Sequence, residues 1–117
     1  MGLDQRVVAL IGGLSEKSRS GALQWESTGP EQYELSLTKS TIRVESRDGD
    51  GMYPYQFTLL NENGVRIETI DADGSASDPY QIRDLFDTAS RSHRGVDAKL
   101  DEVLGELGIK LPEEPPF

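Results

Sequence analysis

The chain has 117 residues, of which 35% are hydrophobic and 28% charged, with 12 Lys plus Arg against 21 Asp plus Glu and a net charge of −9. That is the size of one domain, apolar enough to fold, and it excludes collagen-like, low-complexity and membrane classes and argues against wholesale disorder. A surplus of acid argues against nucleic acid as the main partner, because phosphates attract cations.

No cysteine is present, which excludes disulfides, thiolate nucleophiles and Cys-based zinc or iron–sulfur sites and fits a reducing compartment. The longest apolar stretch, Val7 to Leu14, is too short to span a bilayer and lacks the cationic start and cleavage site of a signal peptide. The expectation is a soluble cytoplasmic protein that does not engage a membrane.

In chain order, Leu3, Val7, Leu10, Ile11 and Leu14 recur at helical spacing, so residues 3–14 read as a helix with Asp4 in its first turn. Gly12-Gly13 weakens its end, and residues 15–22 form a polar connector. From 23 to 70 the period changes to two, the mark of an antiparallel sheet. Trp25 stands in a short run ahead of the Thr28-Gly29-Pro30 turn. Tyr33, Leu35 and Leu37 alternate with polar residues, as do Ile42 with Val44, Tyr53 through Leu59, and Val65 through Thr69. Each run presents one apolar face, as strands do when one side is wet. Lys39-Ser40 makes a short turn, Asp48 to Gly51 a looser loop, and Asn63-Gly64 a tight hairpin. Pro54 marks an edge, a strand start or a bulge. The links are too short for a crossover helix, so the strands form a meander.

Asp78 reads as an N-cap, Pro79 as N1 and Gln81 as N3 of a capping box. Ile82, Leu85, Phe86 and Ala89 follow at helical spacing, and Val96, Leu100, Val103, Leu104 and Leu107 continue the stripe. Ile82, Ala89, Val96 and Val103 lie seven residues apart, so residues 79–107 read as one nearly continuous helix, kinked at most near Gly95. Its length is roughly 43 Å at 1.5 Å per residue, against a diameter of roughly 35 Å for a domain of this size. The distal stripe of Val103, Leu104 and Leu107 then overhangs the sheet and is a candidate interaction surface. Its cover is either the N-terminal helix, through Leu3, Val7 and Leu10, or a second subunit in a homodimer. Residues 109–117 read as a frayed tail.

Candidate chemistry is sparse. The single histidine, His93, lies within Arg91-Ser92-His93-Arg94 and reads as an exposed residue on a polar helix face rather than a catalytic base. Asp48/Asp50 and Asp71/Asp73 are closely spaced carboxylates of the kind hard cations use. An EF-hand loop begun at Asp71 would place Ala76 and Ile82 where the turn glycine and the bidentate acid belong, and one begun at Asp48 would place Tyr53 and Leu59 there. Turn chemistry explains both pairs, so no metal or other cofactor is expected. Any Ca²⁺ or small-ligand site would have to use Asp71, Asp73 and Asp78. Gly12-Gly13 and Gly49-x-Gly51 match no phosphate-binding loop. Trp25, Tyr33, Tyr53, Tyr55 and Phe57 have the spacing of a base-stacking sheet but equally that of a face covered by helices.

Charge is uneven: the chain up to Arg66 has nine acids and seven bases, the remainder twelve acids and five bases. The C-terminal part therefore carries most of the negative field, either as a solvated face or as a surface for a basic partner.

The order of an N-terminal helix, Leu23-Gln24-Trp25, short alternating strands, the Asn63-Gly64 hairpin, Leu85-Phe86-x-x-Ala89-x-Arg91 and Val96-Asp97 resembles small bacterial proteins of uncharacterised function. The likeness spans most of the chain. It implies an α+β fold with a sheet flanked by helices, and no activity or site residues.

The expectation is one α+β domain over 1–117: a helix, an antiparallel meander of four or five strands, and a long helical segment packed on one face. The helices cover most or all of Trp25, Tyr33, Leu35, Leu37, Tyr55, Phe57 and Ile67. The expected function is a non-catalytic, acidic protein-interaction, accessory or regulatory module. An acidic inhibitor or immunity-type protein that binds a basic toxin or nuclease is the alternative, and a small-ligand or Ca²⁺-binding protein the next. Enzymatic activity and catalytic residues are not expected.

Overall fold

The computed structural model describes residues 3–74 and 78–110. It has helix α1 (Gln5–Arg19), strands β1 (Glu26–Gly29), β2 (Gln32–Ser36), β3 (Ser40–Ser46), β4 (Tyr55–Asn61) and β5 (Arg66–Ala72), then helices α2 (Ile82–Arg94) and α3 (Val96–Leu107). The five strands form one antiparallel sheet in sequence order. The fold is α+β, as the change of period from 3.6 to 2 and back implies.

Local signals set most boundaries. Asp4 is the N-cap of α1, its carboxylate accepting from the Arg6 amide at 2.9 Å. The Arg6 side chain and amide together hold the Asp4 carboxyl below its ordinary value. At Asn63-Gly64 the hairpin forms as expected. Gly64 takes a positive φ of 77°, and the Asn61 side-chain oxygen accepts from the Asn63 and Val65 amides. Leu37 donates its amide to the Ser40 carbonyl across the β2–β3 turn. Pro54 precedes β4, which begins at Tyr55 rather than Tyr53.

The core lies between one sheet face and the helices. Tyr33, Val44, Phe57 and Ile70 stand in register across β2 to β5, and Ile82, Leu85, Phe86 and Ala89 of α2 are buried against that face together with Ile11 and Leu14 of α1. Phe86 sits 5.7 Å from the Tyr33 ring and 4.9 Å from the Tyr55 ring, so these aromatics pack under α2 and do not form an open stacking surface.

Five expectations are corrected. Helix α1 runs on through Gly12-Gly13 to Arg19, because Ser15 and Ser18 are buried on its inner face and extend the stripe. Leu37 is 48% exposed because it lies beyond the end of β2, in the turn. Ile67 is 59% exposed: Leu59 pairs with Glu68 and Leu60 with Arg66, so Ile67 is the extra residue of a bulge and lines an open cleft beside α1 instead of being covered. The second sheet face is not uniformly wet, since Gln56, Thr58 and Leu60 of β4 are buried there. Beside them Arg43 donates to Glu34 at 2.6 Å and Gln56 to Asp71 at 2.8 Å, so polar side chains of the flanking strands carpet the middle of that face. The capping box is displaced as well: α2 starts at Ile82, Gln81 is left-handed, and Asp78 caps remotely by accepting from the Ile82 and Arg83 amides at 2.7 and 3.0 Å.

The residue range 79–107 is likewise not one helix. Gly95 has φ 64° and ψ 33°, and its amide closes the end of α2 on the Arg91 and Ser92 carbonyls. The seven-residue phase survives this break without a continuous helix beneath it. The radius of gyration is 16.0 Å, above the roughly 13 Å of a compact domain near this length, and α3 meets the rest of the protein chiefly at α2. Residues 111–117, most of the expected frayed tail, lie outside the described residues.

Candidate functional site

Helix α3 carries an apolar face that the other described elements leave largely exposed. From Val96 its apolar residues fall at i, i+4, i+7, i+8 and i+11, namely Val96, Leu100, Val103, Leu104 and Leu107, an arc of one helix face. Leu100 is 52%, Val103 41% and Leu107 65% exposed, with Val96 and Leu104 half-buried. Of the residues expected to form the interaction surface, the structure thus brings Val103, Leu104 and Leu107 onto one open stripe. It adds Leu100, a residue whose spacing from Val96 was the available signal, and the exposed Ile109 just past the helix end. A left-handed Gly108 ends the helix, with the Ile109 amide donating to the Leu104 carbonyl at 2.9 Å. Asp101, Glu102 and Glu106 give α3 an acidic polar side, and Lys99 pairs with Glu102 at 2.8 Å. Leu3, Val7 and Leu10 do not supply the cover, because α1 packs against α2.

Where α3 leaves α2 the charge reverses. The last turn of α1 carries Lys17 and Arg19, and the last turn of α2 carries Arg91, His93 and Arg94. Between these ends runs a groove of about 410 Å³ lined by Arg19, Leu23, Arg91, His93, Gly95 and Ala98, among others. His93 is exposed, as its polar helix face implies, and its Nδ1 hydrogen-bonds the Trp25 carbonyl at 3.0 Å while its ring lies 5.5 Å from that of Tyr33. This basic end escapes a reading along the sequence because its residues come from two helix termini 72 or more positions apart. The signal that could have found it is the run of cations closing both helices.

The carboxylates considered for a cation are otherwise engaged. Asp71 accepts from Gln56 and stands 4.0 Å from Arg47. Asp78 caps α2 and accepts from the Tyr53 hydroxyl at 3.3 Å. Burial first, then the Asp78 charge, pushes the Tyr53 hydroxyl pKa up. Asp73 is exposed at the end of β5. Asp50 accepts from Ser46 and from the Met52 amide within its own loop. Among the described residues no three His, Asp or Glu side chains converge as a metal site would need, and no helix is long and apolar enough to cross a membrane.

A second apolar cleft, about 350 Å³, opens between the start of α1 and strands β4 and β5, lined by Val7, Leu10, Phe57, Leu59 and Ile67 with Arg6 at its rim. Comparison of the chain with family models, curated proteins and solved structures found no match.

Proposed function

We propose that this is a non-catalytic protein-interaction module that docks through α3. The observation that carries the reading is the open stripe of Leu100, Val103 and Leu107 on a helix that, among the described residues, meets the other elements chiefly at α2. Apolar side chains gathered on one face gain about 25 cal/mol for each Å² removed from water, and a contiguous patch of this kind marks a binding surface. A cytoplasmic setting suits a cysteine-free chain. The test is affinity purification from the native cell with the wild type and with the Leu104→Asp, Leu107→Asp double variant. A protein held by the wild type and lost by the variant supports the reading; an identical set held by both refutes it.

The acidic inhibitor reading draws on one further observation, the carboxylates of Asp101, Glu102 and Glu106 along the polar side of the same helix. It differs in requiring a basic partner, so its affinity falls steeply between low and high salt, whereas apolar docking holds.

A further inference from the structure

We infer that the groove between α1 and α2 binds a small zwitterion, a free amino acid with an apolar side chain. The two helices lie side by side and point the same way. At one end the Asp4 amide donates to the Tyr80 hydroxyl at 2.8 Å, and at the other Ser18 and Arg19 share a cavity with Thr88 and Ser92. Between these ends a cleft of about 200 Å³ separates α1 from the entry to α2. That is space for roughly seven waters at about 30 Å³ each, less than the pockets that take drug-sized ligands. A peptide or a nucleotide is too large for it, and a single amino acid is of the right size. Among the described residues none from α3 lines the cleft, so the site stands apart from docking through that helix.

Each wall supplies one part of that chemistry. Val8, Ile11 and Pro79 line the cleft with apolar surface, which suits an aliphatic side chain. Arg19 on α1 and Asp84 in the first turn of α2 line it with opposite charges. Among the described residues neither of these side chains forms an ion pair. A guanidinium matches a carboxylate through paired hydrogen bonds, and a carboxylate accepts from an ammonium. Opposite charges held apart on one cleft favour a ligand that carries both. Ser15, one turn before Arg19, also lines the cleft and is only 6% exposed. Its hydroxyl has no hydrogen-bond partner among the described residues, an exception for a polar group so nearly buried.

Two further features belong to the same cleft. Gly12 lines it from within α1, where glycine weakens a helix relative to alanine. A Cβ there would meet nothing within 4 Å, so packing does not require the glycine, and a larger side chain would stand in the cleft. Gln81 lines the opposite wall in the left-handed region, with φ 58°, ψ 47° and no side-chain cap bond. Backbone strain of this kind in a residue other than glycine gathers at ligand clamps.

The experiment is a titration of the isotope-labelled full chain with L-leucine and with L-methionine, read in amide chemical shifts. Carrying it to about 50 mM reaches well past a millimolar dissociation constant. Isocaproate, which lacks the amine of leucine, and isoamylamine, which lacks the carboxylate, are run in parallel. The expected result is saturable shifts at the Ser15, Gln81 and Asp84 amides, with a dissociation constant of about 1 mM. Each partial analogue should bind about tenfold more weakly than leucine, and so should leucine to Arg19→Gln or Asp84→Asn. Gly12→Leu fills the cleft from an exposed helix position and should abolish the shifts, with its helix content checked by circular dichroism. No saturable shift with either amino acid overturns the site, and so do shifts that survive in Gly12→Leu. Isocaproate or isoamylamine binding as tightly as leucine overturns the zwitterion. Arg19 and Asp84 are exposed, so Arg19→Gln and Asp84→Asn are expected to fold; either one binding leucine as the wild type does also overturns it.

Discussion

The indole of Trp25 donates its Nε1–H to the Ser18 hydroxyl at 2.7 Å, and that hydroxyl donates in turn to the Leu14 carbonyl at 2.7 Å. The relay ties the last turn of α1 to the segment that enters the sheet, and it is buried throughout, Trp25 being 3% exposed. Removing the ring should cost about 3–5 kcal/mol as a large-to-small core change. Ser18→Ala should cost about 1–3 kcal/mol, because it strands the indole N–H without a partner. Chemical denaturation measures both. An emission maximum typical of exposed indole, with Trp25→Ala as stable as the wild type, contradicts the assignment.

Gly95 separates α2 from α3 by its left-handed backbone, with open space where a Cβ would stand. An L side chain pays about 1–2 kcal/mol for that conformation. Gly95→Ala should therefore lose stability of that order or escape the strain by joining α2 and α3 into one helix, seen as added helicity in circular dichroism. Unchanged stability together with unchanged helicity would show that the break does not depend on the glycine.

Tyr55 is buried, its hydroxyl donating to the Gly51 carbonyl at 2.7 Å, and burial, followed by the Asp87 charge, raises its pKa above the usual 10.0. Burial and Asp78 raise Tyr53 in the same direction. The folded state thus keeps both phenols neutral to higher pH than the unfolded chain does. Their contribution to stability is complete below pH 10 and is lost as pH rises from there through the folded-state values. Unfolding free energy should fall above pH 10, and less so in Tyr55→Phe. An alkaline slope unaltered by both Tyr55→Phe and Tyr53→Phe rules these groups out.

The sheet was legible because alternation, Asn63-Gly64 and short connections all point to the same meander, and α2 because Ile82, Leu85, Phe86 and Ala89 face one core. Three features were not. The bulge at Ile67 is a property of the pairing between β4 and β5, and no single strand encodes it. The break at Gly95 was hidden by apolar spacing that is indifferent to whether one helix or two carry it. The left-handed Gln81 replaced a capping box whose residues were all present, because Asp78 reaches the Ile82 and Arg83 amides from outside the first turn. For the candidate site, the stripe of Val103, Leu104 and Leu107 was readable, whereas the basic end formed by α1 and α2 required the helices to be packed side by side.

A helix of twelve residues is marginal in water without tertiary support. The most direct measurement of whether α3 lacks support within the protein is therefore amide hydrogen exchange of residues 100–107 against residues 85–90 of α2. The account predicts that α3 exchanges far faster than α2 in the isolated protein, while α2 stays protected. An α3 as slow as α2 would contradict it.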